Sequence, residues 1–207
     1  MIKNLILDMG GVILDVDYNM IFKGFASLGI KNLETFFTQQ TQLPLVDDFE
    51  VGKITPNEFR QGVRDLTKTN ISDKDIDFVW NSMVLGVRKD DILLIKELRN
   101  KYEKIYLFSN TNEIHMEYVK NLFLETMGFD VLNEMFDKVY LSNEIHERKP
   151  NVSAFNFVAN DAGIDKTESL FIDDTDLNIQ GAIKAGLHAR LLPKDKTLLN
   201  LKQEGVI

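Results

Sequence analysis

Four short apolar runs constrain this chain more than anything else in it: Leu5-Ile6-Leu7, Ile105-Tyr106-Leu107-Phe108, Val139-Tyr140-Leu141 and Leu170-Phe171-Ile172. Each is too short for a helix, is apolar on both faces, and is followed by polar or Gly-rich residues and then a helical pattern. A strand apolar on both faces must be covered on both, which points to buried parallel strands joined by βαβ crossovers. A fifth strand is expected over 188–192, stopped by Pro193. Helical spacing fills the gaps at 90–101, with Ile92, Ile95 and Leu98 on one face, at 152–162, and at 177–185, where Gly186 serves as C-cap. The fold class read from this pattern is α/β, a doubly wound parallel sheet.

The first two runs are too far apart for an ordinary connection, and no convincing strand lies between them. The intervening chain must fold by itself. Thr55-Pro56-Asn57-Glu58 combines a capping box with Pro at the first helical position, and Phe59, Val63 and Leu66 follow at helical spacing. Ser72-Asp73-Lys74-Asp75 opens another helix carrying Ile76, Val79 and Trp80, and further helices are expected near 20–27 and 34–40. Trp80 and the phenylalanines Phe22, Phe25, Phe36, Phe37, Phe49, Phe59 and Phe78 are read as packing residues of this inserted bundle. The expected organisation is an α/β core over 1–15 and 89–207 with a helical insertion over 16–88.

Composition narrows the chemistry. The absence of Cys removes disulfides, thiolate metal sites and Cys nucleophiles, so catalysis must use carboxylates, hydroxyls, amines or the three His. A net charge of -8 argues against a nucleic-acid or anionic-membrane partner, which would need an excess of Lys and Arg. No run of about eighteen apolar residues is present, and the strand-like start lacks a leader's long apolar region, so a cytoplasmic protein is expected.

In doubly wound sheets ligands bind beyond the carboxyl ends of the strands. The residues there are Asp8, Ser109-Asn110-Thr111, Lys149 and Asp173-Asp174. Two carboxylates suit a hard cation such as Mg²⁺, Lys and hydroxyl suit phosphate oxygens, and a carboxylate can itself be a nucleophile. Each residue also has a plain structural role available. Asp8 can cap a turn, Asp173 can cap the helix at Leu177, Ser109 and Asn110 are common loop residues, and Lys149 ends a charged stretch from His146. Arg148 reads as a surface or substrate-proximal residue rather than a catalytic one, and His115, His146 and His188 read as structural.

Asp8-Met9-Gly10-Gly11-Val12, Ser109-Asn110, Lys149-Pro150 and Asp173-Asp174-Thr175-Asp176-Leu177-Asn178 resemble, in order, the four motifs of the haloacid dehalogenase (HAD) superfamily. The stretches DMGGVILDVD, LFSNTNEIH, VYLSNEIHERKP and FIDDTDLNIQGA are similar to the small bacterial glucose-1-phosphate phosphatase group, and less closely to the phosphatase domain of soluble epoxide hydrolase. The resemblance implies that the insertion is a cap, that Asp8 is the nucleophile, and that Asp8, the Gly10 carbonyl and Asp174 hold Mg²⁺. It implies that Asp8, Gly10, Ser109, Asn110 and Lys149 surround the phosphoryl group, with Asp173 and Asn178 as outer partners orienting the loop or a metal-bound water. The expected function is a phosphatase acting on a small phosphorylated molecule, a sugar phosphate and specifically a hexose 1-phosphate. The alternatives are a metal-independent dehalogenase-type hydrolase and a slow ligand-binding relative. Oligomeric state is left open.

One departure stands out: the superfamily's usual second Asp, two residues after the nucleophile, is Gly10 here. That removes a general acid worth about a hundredfold to ten-thousandfold. Asp15 and Asp17 are the nearest alternative proton sources in sequence, and a sugar 1-phosphate, with its better leaving group, needs the acid less.

Overall fold

The computed structural model describes residues 1–30 and 44–207. Its strands are β1 (Asn4–Leu7), β2 (Leu14–Val16), β3 (Val84–Val87), β4 (Lys104–Ser109), β5 (Lys138–Leu141), β6 (Ser169–Asp173) and β7 (His188–Leu191). Five of them form a parallel sheet in the order β5-β4-β1-β6-β7. The chain leaves central β1 for one side and returns to the other, so its connections diverge at the carboxyl end of β1 and open a crevice there.

Alternation within the apolar runs divides them between two layers. Leu5, Leu7, Ile105, Leu107 and Ile172 face one cluster with Ile92, Ile95, Val119 and Phe123. Ile6, Tyr106, Phe108 and Phe171 face the other with Phe155, Val158 and Ala182. The helices supplying these layers are α5 (Lys89–Leu98), α6 (Glu113–Met127) and α7 (Val131–Met135) on the first side, and α9 (Val152–Ala162) and α10 (Asp176–Ala185) on the second. Short α8 (Ser142–Ile145) follows β5 directly, and α11 (Leu198–Gln203) packs on α5. All five expected core strands are present, the last ending one residue early.

The stretch between β1 and α5 contains α1 (Asn19–Ser27), α2 (Pro44–Glu50), α3 (Pro56–Thr67) and α4 (Asp73–Asn81). The Thr55–Glu58 capping box forms, with Thr55 accepting from the Glu58 amide and Glu58 accepting from Thr55. Ser72 caps α4 through the Asp75 amide. These helices bury their own cluster of Ile21, Phe25, Phe49, Phe59, Ile76 and Trp80, where Phe59 stacks on Phe49 at 4.3 Å between ring centroids. Phe78 departs from expectation: it is 76% exposed on the outer face of α4. The helix expected near 34–40, with Phe36 and Phe37, lies outside the described residues.

A second departure is the antiparallel pairing of β2 with β3, where no strand was expected. Both are short and only half buried, and β3 contains Gly86, so neither carries the alternation or the β-branched run that marks a strand in sequence.

Candidate active site

The carboxyl ends of β1, β4 and β6, with the loop after β5, bring the expected residues together. Asp8 follows β1, its amide donating to the Ile172 carbonyl of β6 at 2.9 Å. Lys149 lies at the centre with its side chain 1% exposed. Its ammonium reaches three acceptors: Asp8 Oδ1 at 2.7 Å, Asp173 Oδ2 at 2.7 Å and the Phe108 carbonyl at 2.9 Å. An ammonium has three donors, so Lys149 is saturated.

Asp173 is saturated as well. Its Oδ1 accepts from the Thr175 amide at 2.8 Å and from Asn178 Nδ2 at 3.1 Å; its Oδ2 accepts from Asn178 Nδ2 at 3.0 Å as well as from Lys149. Asp173, itself held by Asn178, thus anchors the Lys149 ammonium. Ser109, 2% exposed, ends β4. The Asn110 side chain does something the sequence did not suggest, clamping the Lys149 backbone from both sides. Its Oδ1 accepts from the Lys149 amide and its Nδ2 donates to the Lys149 carbonyl, both at 2.9 Å.

The charges do not balance. One oxygen from each of Asp8, Asp173 and Asp174 lies within 4.8 Å of the others, against the one ammonium of Lys149. Burial, reinforced by Asp173 and Asp174, pushes the Asp8 carboxyl up to about 8 despite the pull of Lys149. Burial and Asp173 push Asp174 up too. Burial would lower Lys149, but the charges of Asp173 and Asp8 outweigh it and hold the ammonium above its usual range. Such a carboxylate excess is relieved by a proton or a cation, and an all-oxygen donor set suits a hard divalent ion. Gly11 makes room for it. Its φ is +72°, and a Cβ there would sit 2.2 Å from Asp174 Oδ2, so only glycine lets Asp174 close on this loop. Gly10 is different, since a Cβ would meet nothing nearer than Val16 Cγ1 at 3.6 Å. The missing second Asp is not dictated by space.

Neither alternative acid is well placed. Asp15 is paired with Arg88 Nε at 2.7 Å, and Arg88 also donates to the Gly11 carbonyl at 2.6 Å. Asp17 accepts from the amide and side chain of Asn19, which hold its carboxyl below the usual range, so it is a poor proton donor. Tyr18 and Arg88 carried no sequence signal, yet both attend the site. Low-dielectric surroundings and the carboxylates of Glu50, Asp8, Asp174 and Asp173 push the Tyr18 phenol far up, leaving it a hydrogen-bond donor at any working pH.

The histidines are structural, as expected. His115 is buried, stacks on Trp80 at 5.3 Å and meets Asn81 Oδ1 at 2.9 Å, and burial alone pushes it down to about 3. His146 and His188 bond the carbonyls of Val51 and Thr167. A cavity of about 700 Å³ lined by Asp15, Arg88, Asp91 and Lys194 includes none of Asp8, Ser109, Lys149 or Asp174.

A nucleophile-like carboxylate at the tip of the central strand, saturated lysine and acidic cluster on this sheet order define a hydrolase of the phosphoryl-transfer type. The chain matches the haloacid dehalogenase-like hydrolase family over residues 2–186 and belongs to it. It is 33% identical over 181 residues to the D-ribitol-5-phosphate phosphatase of Bacteroides thetaiotaomicron, covering 86% of each chain. It is also similar to a HAD family enzyme of that organism solved with magnesium and inorganic phosphate. The wild-type complex has a TM-score of 0.88 at 36% identity, covering 97% of this chain and 99% of that one. An L-2-haloacid dehalogenase from Xanthobacter autotrophicus shares the fold alone, at 18% identity and TM-score 0.59 over 93% of this chain and 78% of that one. Among the described residues no helix is long and apolar enough to cross a membrane.

Proposed function

We propose that this magnesium-dependent HAD-type phosphatase hydrolyses a small phosphorylated polyol or sugar through an aspartyl-phosphate on Asp8. The observation that carries the reading is the buried cluster of Asp8, Lys149 and Asp173 beside Asp174. An Asp8 oxygen attacks phosphorus, the ester P–O bond breaks, and its electron pair leaves on the alcohol oxygen, which takes a proton from water. Water then attacks the phosphorus of the aspartyl-phosphate, the bond to Asp8 breaks, and inorganic phosphate departs.

Lys149, fixed by Asp173 and the Phe108 carbonyl, neutralises charge on the nucleophile and on the transferring group. The Ser109 hydroxyl and the Asn110 amide bind its oxygens, and Asn178 keeps Asp173 in place. Asp8, the Gly10 carbonyl and Asp174 would hold magnesium, which when bound would supply Lewis-acid neutralisation of the phosphoryl charge. The metal requirement separates this reading from the dehalogenase alternative. Residues 16–88 act as a cap over a core of 1–15 and 89–207, supported by the separate apolar cluster of those helices. With no Cys and a net charge of -8, the protein works in the cytoplasm on a small molecule, with neither nucleic acid nor membrane as partner.

For the leaving group, the relative's name favours an open-chain pentitol 5-phosphate. A second reading, a hexose 1-phosphate, is favoured by Gly10, because an anomeric leaving group needs less help from an acid. Phosphate release from ribitol 5-phosphate, glucose 1-phosphate and glucose 6-phosphate, with and without Mg²⁺, decides between them. A higher kcat/KM for ribitol 5-phosphate supports the first reading, a higher value for glucose 1-phosphate the second, and no metal-dependent release from any overturns both.

A further inference from the structure

Arg148, which the sequence presents as a surface or substrate-proximal residue, is instead engaged with the inserted helices. Its side chain is 22% exposed, and the guanidinium spans two carboxylates of α2: Asp47, and Glu50 with Nη2 to Oε2 at 3.0 Å. Glu50 is the last residue of α2, where the negative end of the helix dipole disfavours an acid, and no basic side chain of that turn offsets it. Arg148 supplies the cation from across the chain.

The contact is wider than one ion pair. Ser142 Oγ donates to the Glu50 carbonyl at 2.6 Å, and His146 Nδ1 meets the Val51 carbonyl at 2.9 Å. A Cβ on Gly52, at φ +66°, would fall 2.2 Å from the Asn143 carbonyl, so glycine lets the turn after α2 lie directly on α8. The next residue after Arg148 is Lys149, whose backbone is clamped by Asn110 and whose ammonium holds Asp8. The path of contacts from α2 to the ammonium is thus continuous.

We infer that Arg148 is a positioning residue: through Asp47 and Glu50 it ties α2 of the inserted helices to the loop bearing Lys149, so that docking of those helices sets where the lysine stands. The inference rests on the phosphatase reading, in which Lys149 neutralises the transferring phosphoryl group. Because the effect passes through Lys149, it is felt at phosphorus and not at the leaving group. Removing partners that orient a reactive group typically costs about 10- to 100-fold in activity.

The test measures kcat and KM of Arg148→Met and Arg148→Lys on ribitol 5-phosphate and on p-nitrophenyl phosphate, with inhibition by inorganic phosphate and melting temperatures. Arg148→Met is expected to lower kcat about 10- to 100-fold on both substrates and to weaken phosphate inhibition, with partial rescue in Arg148→Lys. A loss confined to ribitol 5-phosphate and seen as raised KM would instead make Arg148 a substrate contact. A lowered melting temperature with kcat and phosphate inhibition unchanged would make it a staple of the fold. Either result overturns the inference. Glu50→Gln, which keeps the shape of its side chain, must show the same pattern and add little to Arg148→Met; independent effects of the two would also overturn it. If Asp8→Asn retains turnover, the aspartyl-phosphate reading falls; if Asp8→Asn is inactive while Arg148→Met matches the wild type, this inference falls alone.

Discussion

Replacing Asp173 by Asn changes one atom pair, and the hydrogen-bond network determines its consequence. The carboxylate makes four contacts with three donors: the Thr175 amide and Asn178 at Oδ1, Asn178 and Lys149 at Oδ2. An amide offers one acceptor oxygen, so whichever way the new side chain is turned, its NH₂ faces donors on one side. Two hydrogen bonds at a fully buried position are lost or reversed. Bonds involving an ionised group contribute about 1.5–3 kcal/mol each, giving a cost of roughly 3–6 kcal/mol. Reduced repulsion with Asp8 and Asp174 offsets part of this, so the lower half of that range is expected. For a chain of this length about 2–4 °C accompanies each kcal/mol, so melting falls by roughly 6–18 °C. Urea unfolding gives the free energy directly, and kcat falls with it because Lys149 loses an anchor. A cost below about 1 kcal/mol would refute the saturated-network reasoning.

Magnesium and pH are linked through Asp8. Between its ordinary value of 3.8 and about 8, folded Asp8 holds a proton that the unfolded chain has released, so the metal-free protein loses stability as pH rises through that window. The rise in melting temperature on adding Mg²⁺ is therefore expected to grow from about pH 5 to about pH 8 and to stop growing in Asp8→Asn; a pH-independent rise would contradict the charge analysis. His115 acts in the opposite direction. Its pKa, lowered from 6.5 to about 3, means the unfolded chain binds a proton first, so stability is lost as pH falls through that window, by on the order of 5 kcal/mol in all. Acid titration of unfolding free energy in His115→Gln should show a shallower slope than wild type. Gly11→Ala should carry a left-handed strain of about 1–3 kcal/mol and displace Asp174, weakening Mg²⁺ binding by calorimetry, whereas Gly10→Ala should fold and bind the metal normally.

Much of this was legible in the residues because the core strands are short, uniformly apolar and tipped with polar groups. Asp8, Ser109 and Asp173-Asp174 could be placed at strand ends, and Lys149 beyond one, from that pattern alone, and the structure brings Asp8, Lys149, Asp173 and Asp174 together. The Thr55 and Ser72 caps were equally plain, since a cap is a local device. What sequence did not reveal is long-range. The pairing of β2 with β3 joins residues far apart in the chain through short, half-buried segments. The Asn110 clamp and the Arg148 contacts are meetings of distant loops, and an isolated Asn or Arg carries no sign of its partner. Phe78 kept helical spacing but sits on the outward side of α4, because periodicity fixes a stripe and not which neighbour covers it.

The central claim is that phosphate passes through Asp8. The most direct measurement is mass spectrometry of the Asp8 peptide after acid quenching of the enzyme during turnover of ribitol 5-phosphate with Mg²⁺, alongside phosphate release by Asp8→Asn. The account predicts a phosphoryl group on Asp8 in the wild type and no turnover in the variant. Sustained phosphate release by Asp8→Asn, with the wild-type Asp8 peptide unmodified, would contradict it.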